Sequence, residues 1–325
     1  MLSKSVLFLI ASAVWAVEPG ALPLTWTTGG PNCIVTPDWQ IHEYNPDFYI
    51  LRESGCTNYE KPFLYLIFGK ERVLLLDTGA GKTVDTRSIV HQVIGRWLKR
   101  EGRTEIRLLV THSHGHGDHV AGDTQFRNVA GVEFVEPDVK AVQTAFGIQS
   151  WPDANGAVDL GDRVLDVIPI PGHQEASIAL YDRKTGVLLT GDSVYPGRLY
   201  VSDWEQYRAS IQRLVLFTEG KVVAHVLGCH IEQTRQPYLD YPVGTTYQPD
   251  EHSLEMGRAE LLELDEALHK LGSTPTRAAY RDFTIWPVKR KVLKQSRERQ
   301  RPHDWSTRYP EARTRSLTLP AQFQR

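Results

Sequence analysis

The sequence contains little of what would mark a membrane protein, a nucleic-acid-binding protein or a disulfide-rich chain. No apolar run reaches the roughly 20 residues that a helix needs to span a bilayer. The net charge of -2 gives no sign of binding to nucleic acid. Three cysteines among 325 residues permit one disulfide at most. What remains is an ordinary globular composition, 41% hydrophobic, and a length that suits one large domain or two small ones.

The N-terminus has the pattern of an export signal. Lys4 precedes an apolar run from Val6 to Val14, and the small residue Ala16 provides a cleavage position. The alternatives are a membrane anchor and a first strand, and the run is too short to span a bilayer. We therefore expect residues 1–16 to be a cleaved signal peptide and the protein to be periplasmic or secreted. The mature chain is expected to have no membrane span.

The three cysteines divide into a potential pair and a single residue. Cys33 and Cys56 could form a disulfide in an oxidising compartment, and the sequence leaves this open. Cys229 stands beside His230 and is expected to be a small buried residue.

The charges are distributed unevenly along the chain. The segment from Val288 to Arg325 carries 11 of the 37 basic residues and 3 of the 39 acidic ones. The rest carries 26 basic and 36 acidic residues, a balance of about -10 by subtraction. We expect one domain at 17–286, followed by a basic tail at 287–325 that is either disordered or packed on the acidic body.

The body of the chain combines strand and helix patterns without strict βαβ alternation. Apolar residues recur at helical spacing from Thr86 to Arg100, between short buried strands. Ser202 and Glu205 indicate a capping box at the start of another helix, and a last helix is expected from Ser253 to Leu271. The pattern predicts an α+β fold in which mixed sheets pack face to face with helices outside.

A histidine cluster follows the apolar strand that ends at Val110. The segment HSHGHGDH, from His112 to His119, holds four histidines and one aspartate. Histidine is the commonest metal ligand near neutral pH, and carboxylates complete such sites. Two registers of His-x-His are possible, but only the one that starts at His114 continues as His-x-His-x-Asp-His. We therefore treat His112 as an additional, non-ligating residue and predict four metal ligands: His114, His116, Asp118 and His119.

The cluster and four other segments resemble the motifs of the metallo-β-lactamase superfamily. The family pattern expects three further ligands at the ends of later strands, and the segments IPIPGHQ, LLTGDS and HVLGCH provide them. The matching residues are His173, Asp192 and His230. The upstream segment LLLDTG resembles the early Asp-Thr-Gly strand of the family and contains Asp77.

This resemblance implies a four-layer αββα sandwich that binds two metal ions at the edges of its sheets. By analogy the ligands divide into two sets and one bridging residue: His114, His116 and His173; Asp118, His119 and His230; and Asp192. Five imidazoles and two carboxylates suit two zinc ions, with iron or manganese as alternatives.

Three side chains have candidate roles beside metal binding. Asp118 could orient the attacking water and pass its proton to the leaving group. Tyr195 lies at the spacing of a substrate-facing tyrosine in lactone-cleaving relatives, where its hydroxyl would bind a developing oxyanion; the alternative is a packing tyrosine. Asp77 either orients a ligand or caps the turn after its strand.

The complete ligand set predicts a dinuclear metal-dependent hydrolase that activates water against a small ester, thioester, lactone or lactam. Asp192 argues against a true β-lactamase, for which the resemblance would predict cysteine or serine at that position. The alternatives are an iron-dependent sulfur dioxygenase and an inactive binding protein of the same fold. Substrate recognition is expected after His230, where four candidates remain unassigned: Arg235, Tyr241, Tyr247 and His252.

Overall fold

A computed structural model describes residues 17–288 of the chain. The expected signal peptide and the expected tail beyond Val288 lie outside these residues. Within the described range, no helix is both long enough and apolar enough to cross a membrane.

Two six-stranded sheets form the centre of the fold. The first contains, from edge to edge, β1 (Trp39–Asn45), β2 (Phe48–Glu53), β3 (Phe63–Phe68), β4 (Arg72–Leu76), β5 (Arg107–Thr111) and β6 (Val132–Phe134). The second contains β13 (Glu255–Met256), β12 (His225–Gly228), β10 (Val187–Gly191), β9 (Ile178–Asp182), β8 (Val164–Pro169) and β7 (Gly156–Asp159). A small third sheet contains β11 (Arg198–Val201), β15 (Thr284–Pro287) and β14 (Ala278–Ala279).

Five α-helices accompany the sheets in the described part of the chain. They are α1 (Thr86–Arg100), α2 (Gly117–Val120), α3 (Val139–Phe146), α4 (Trp204–Phe217) and α5 (Arg258–Leu271). The bounds of α1 agree with those predicted from its apolar spacing, and Asp85 caps it by accepting a hydrogen bond from the Ser88 amide.

Alternate side chains of β3 enter two different cores, because successive residues of a strand point to opposite faces. Phe63 and Tyr65 pack in the core between the two large sheets. Leu64 and Leu66 pack in a second core with α1. On the far side of the molecule, a third core joins α4 and α5 to the outer face of the second sheet. The order is therefore helix, sheet, sheet, helix, which confirms the predicted αββα sandwich.

Two predictions about helix starts were wrong. Asp203, rather than Ser202, caps α4, because its side chain accepts a hydrogen bond from the Gln206 amide. The last helix begins at Arg258, since Glu255 and Met256 first pair with β12 as the short strand β13. In that segment strand pairing prevails over helical spacing.

Cys33 and Cys56 form a disulfide, with the two sulfur atoms 2.12 Å apart. Cys229 is a buried free thiol, as expected. The disulfide links the segment before β1 to the segment that connects β2 and β3.

Arg52 and Glu251 form a buried, bidentate ion pair between β2 and the segment that leads into β13. Arg52 Nη1 lies 2.5 Å from Glu251 Oε2, and Nη2 lies 2.6 Å from Oε1. The Arg52 guanidinium also lies 4.6 Å from the centre of the Phe63 ring. The pair therefore joins the first sheet to the segment that leads into the second, and both side chains are almost fully buried.

Replacing Glu251 with alanine is expected to lower the free energy of unfolding by about 3 kcal/mol, because it leaves the buried Arg52 charge unpaired. Urea denaturation measures this change. The control is Glu266→Ala, which removes the exposed partner of Lys270 and should leave the midpoint unchanged. A Glu251→Ala midpoint equal to that of the wild type would contradict the expectation.

Candidate metal centre

The candidate ligands lie where strands of both sheets end. The histidine cluster follows β5, His173 follows β8, Asp192 follows β10, and His230 follows β12. β4 and β5 run parallel, as do β10 and β12, so their carboxyl ends lie together at one edge of each sheet. The buried strands supply a rigid frame, and the loops after them supply the polar side chains.

Three histidines form the first ligand set: His114, His116 and His173. His173 Nε2 lies 3.2 Å from His114 Nε2 and 2.9 Å from His116 Nδ1. Zinc ligands about 2.1 Å from a tetrahedral ion are about 3.4 Å apart. These two separations are somewhat shorter than that value, and all three donor nitrogens lie within 4.8 Å of one another, so they are grouped closely enough to hold one zinc ion.

A second ligand set consists of Asp118, His119 and His230. His119 Nε2 lies 3.3 Å from both His230 Nε2 and Asp118 Oδ2. His230 Nε2 also lies 3.3 Å from Asp118 Oδ2. These spacings are close to the value of about 3.4 Å expected around a tetrahedral zinc ion, so a second cation fits this set.

Asp192 lies between the two sets, and its oxygens face different ways. Oδ1 is 3.4 Å from His119 Nε2 and 3.3 Å from His230 Nε2. Oδ2 is 3.6 Å from His173 Nε2 and 3.8 Å from His114 Nε2. Oδ1 is buried and has no hydrogen-bond partner of good geometry among the described residues. A buried oxygen without a partner is costly, and cations at both sides would satisfy it.

Polar groups behind the ligands hold the imidazole rings in place. His173 Nδ1 lies 2.8 Å from the Tyr200 carbonyl oxygen, and His230 Nδ1 lies 3.0 Å from the Glu60 carbonyl oxygen. A carbonyl can only accept, so both Nδ1 atoms carry a proton and both Nε2 atoms face the centre. The sequence analysis missed these supports, because a backbone carbonyl leaves no mark in a side-chain pattern.

Asp77 supports the centre in the manner of a ligand-orienting carboxylate. Its Oδ2 lies 2.9 Å from His119 Nδ1, and its Oδ1 accepts a hydrogen bond of 2.7 Å from the Ser113 amide. Ser113 Oγ donates to Asp77 Oδ2 at 2.8 Å. Asp77 therefore connects its own strand to the start of the histidine cluster, which favours the first of its two predicted roles.

His112 lies outside both ligand sets. Its Nε2 is 2.8 Å from Asp123 Oδ1, and its Nδ1 is 3.3 Å from the Val135 carbonyl oxygen. Asp123 Oδ1 also accepts a hydrogen bond of 2.7 Å from Thr78 Oγ1. His112 thus belongs to a buried hydrogen-bond network beside the centre.

Tyr195 is close to the centre, but its hydroxyl is engaged elsewhere. The hydroxyl donates to the Arg198 carbonyl and lies 3.2 Å from Glu232 Oε2. The residue is 1% exposed, and its ring centre is 5.6 Å from that of His230. This arrangement favours the packing interpretation over a contact with substrate.

The candidates beyond His230 make contacts with other residues of the described chain. Tyr241 Oη accepts a hydrogen bond of 2.8 Å from the Asp250 amide. His252 Nε2 lies 3.2 Å from Asp282 Oδ1. Arg235 Nε donates to the Glu251 carbonyl at 3.3 Å. Tyr247 is 42% exposed. None of these contacts is with a candidate metal ligand.

The two ligand sets differ in protonation. Burial lowers the pKa of all three histidines in the first set, to about 4 for His173. Burial also opposes charge on His119 and His230, but the carboxylates of Asp118 and Asp192 outweigh it and raise both pKa values. At neutral pH the first set is therefore neutral and ready to bind, whereas the second holds protons until a cation displaces them.

Exchange of His116 for alanine is expected to lower the metal content by at least one ion per chain, because His116 Nδ1 is one of three donors in the first set. Exchange of His112 for alanine should leave the content at the wild-type value. Elemental analysis of both variants after gel filtration measures the difference. Loss of metal from the His112 variant would show that the assumed register is wrong.

This chain is similar to known proteins in sequence and in structure. The family model of the metallo-beta-lactamase superfamily matches residues 61–268. Acyl-coenzyme A thioesterase MBLAC2 of Homo sapiens is 26% identical over 234 residues, covering 59% of this chain and 81% of the relative. Hydroxyacylglutathione hydrolase of Erythrobacter litoralis (strain HTCC2594) is 30% identical over 147 residues, covering 43% of this chain and 56% of the relative. The metallo-beta-lactamase FIM-1 from Pseudomonas aeruginosa, in its mono-zinc form, aligns with a TM-score of 0.49 and 13% identity, covering 73% of this chain and 98% of that one.

The family match extends over more than half of the chain and includes every residue of both ligand sets and Asp192. It agrees with the αββα order of layers and with the position of the ligands at the ends of strands. The chain belongs to the metallo-beta-lactamase superfamily.

Proposed function

We propose that this metal-dependent hydrolase works with two metal ions, most simply zinc, and cleaves small thioesters. The observation that carries the proposal is the orientation of Asp192, whose two oxygens face different ligand sets. A mononuclear site would need only one of those sets. Both sets have donor spacings that suit a tetrahedral ion.

Divalent ions held at these positions would act as Lewis acids and lower the pKa of a water molecule towards neutrality. Asp118 is the side chain best placed to accept a proton from that water and pass it to the leaving group. Burial alone would raise its pKa, but His119 and His230 outweigh this effect and keep it well below its usual range. Its side chain is 21% exposed, against 8% for Asp192, so it is the carboxylate that substrate and water can reach.

The relatives support thioesters as the first substrate class to test. One is named an acyl-coenzyme A thioesterase and the other a hydroxyacylglutathione hydrolase. Coenzyme A and glutathione both carry their acyl groups on sulfur. Esters, lactones and lactams remain the other classes that the same chemistry would serve. A sulfur dioxygenase or an inactive binding protein would not need both ligand sets to be complete. Because both sets are complete, no observation favours these two alternatives.

Export forms part of the proposal. The disulfide between Cys33 and Cys56 supports it, because disulfides persist in oxidising compartments such as the periplasm. The basis for an export signal remains the sequence of residues 1–16.

Exchange of Asp118 for asparagine is expected to reduce kcat by about 10²- to 10⁴-fold, the usual contribution of a positioned acid or base. Steady-state kinetics with a panel of thioesters measures the effect, and circular dichroism checks that the fold is retained. Asp85→Asn makes the same chemical change at the exposed N-cap of α1 and should keep wild-type turnover. Wild-type turnover in the Asp118 variant would exclude the role.

Metal loss on acidification is expected to occur in two steps. The second ligand set must release protons to bind a cation, so its affinity is already reduced at any pH below the raised pKa values of the free histidines, and it falls further as pH drops. The first set stays neutral until pH approaches the lowered values, about 4 for His173. Dialysis against a weak chelator between pH 7.5 and 5 should give an intermediate with one ion per chain. Simultaneous loss of both ions would contradict the assignment.

A further inference from the structure

One face of the third sheet carries a row of three side chains that crosses its strands. Tyr200 of β11 pairs with Trp286 of β15, and their rings lie 5.9 Å apart. Arg277 directly precedes β14, and its guanidinium lies 3.4 Å from the centre of the Trp286 ring. The neighbours Leu199 and Ile285 belong to the third core, because successive residues of a strand point to opposite faces. The row therefore lies on the face of the sheet that is opposite this core.

The row begins beside the candidate metal centre. The Tyr200 carbonyl accepts a hydrogen bond of 2.8 Å from His173 Nδ1, so the backbone that carries the first ring also orients a candidate ligand. The Tyr200 hydroxyl accepts a hydrogen bond of 3.0 Å from Arg198 Nε, and Arg198 Nη2 lies 2.8 Å from Glu232 Oε1. Glu232 follows His230 by two residues. These contacts fix the Tyr200 ring and connect it to segments that carry a ligand of each set.

The row becomes more accessible with distance from the centre. Tyr200 and Trp286 are partly buried, whereas Arg277 is exposed. Neighbouring strands are about 4.8 Å apart, so the two strand spacings from Tyr200 to Arg277 amount to about 10 Å. A substrate bound at the centre therefore needs an extension of about that length to reach the guanidinium.

The Arg277 guanidinium is held in place but has no acceptor in the described part of the chain. Within residues 17–288 it forms no hydrogen bond and no ion pair. Arg198, in the same sheet, is instead matched by Glu232 at 2.8 Å and by Asp240 at 3.7 Å. Contact with the face of an indole limits the orientation of a guanidinium, and its planar set of N–H donors fits the two oxygens of a carboxylate or a phosphate. Arg277 is therefore suited to an anion that a ligand brings.

We propose that Arg277, held on Trp286, binds the anionic end of the thiol that carries the acyl group; this inference rests on the proposed thioester hydrolysis. The carriers in the names of the two relatives both have such an end. Coenzyme A carries phosphates, and glutathione carries two free carboxylates. Arg277 and Trp286 lie beyond residues 61–268, which the family model matches, so the family match does not include this contact.

The contact would act on binding rather than on the chemical step. The anion lies far from the bond that breaks, so its interaction with Arg277 is the same in the ground state and the transition state. Loss of such an interaction raises KM and leaves kcat nearly unchanged.

The test compares three thioesters that share one acyl group: those of coenzyme A, glutathione and N-acetylcysteamine, a thiol without charge. In Arg277→Gln, KM should rise about tenfold for at least one of the two charged thioesters, the effect of one charge-assisted contact. The kcat values should stay within about twofold of the wild type. Both constants for the N-acetylcysteamine thioester should equal those of the wild type. The charged thioester that responds identifies the anion as a phosphate or a carboxylate.

Arg107→Gln is the matched control, because the Arg107 side chain is 67% exposed and lies at the start of β5, whereas the histidine cluster follows the end of that strand. It should keep the wild-type constants with all three thioesters. In Arg277→Gln, an equal rise of KM for charged and uncharged thioesters, or no rise for either charged one, would overturn the inference and leave the hydrolysis intact. A wild-type enzyme that cleaves none of the three would overturn the proposed substrate class and the inference with it.

Discussion

The buried carboxylate of Asp192 is the constraint on which the rest of the centre depends. An ionised carboxylate in such a place is expensive unless positive charge surrounds it. Each oxygen faces imidazole nitrogens of a different ligand set, and Oδ1 has no hydrogen bond of good geometry in the described residues. Two cations would satisfy both oxygens at once. The five imidazoles and the second carboxylate are then arranged around the positions that those cations would take.

The sandwich serves this arrangement by bringing the ends of strands from both sheets to one place. β3 contributes alternate side chains to two cores, so the sheets and the outer helix are packed as one unit. The polar loops are fixed by this frame, and carbonyls such as those of Glu60 and Tyr200 add the final orientation of the imidazoles.

Several of these features could be predicted from the sequence. The candidate ligands could be named because the histidine cluster and three later segments resemble the motifs of the superfamily. Helix α1 could be predicted because its apolar residues keep helical spacing. The backbone carbonyls that orient His173 and His230 could not be predicted, because every residue has a carbonyl and the sequence does not show which one lies nearby. The environment of the Tyr195 hydroxyl could not be predicted either, because the spacing from Asp192 does not show where that hydroxyl points.

The central proposal is that the two ligand sets, with Asp192 between them, would hold two metal ions, and metal stoichiometry tests it most directly. The full chain would be purified without added metal or chelator and analysed for metals, together with Asp192→Ala. The account predicts two zinc ions per wild-type chain and at most one in the variant. A single ion in the wild-type chain, or two ions retained in the variant, would contradict it, and a single iron would bring forward the dioxygenase alternative.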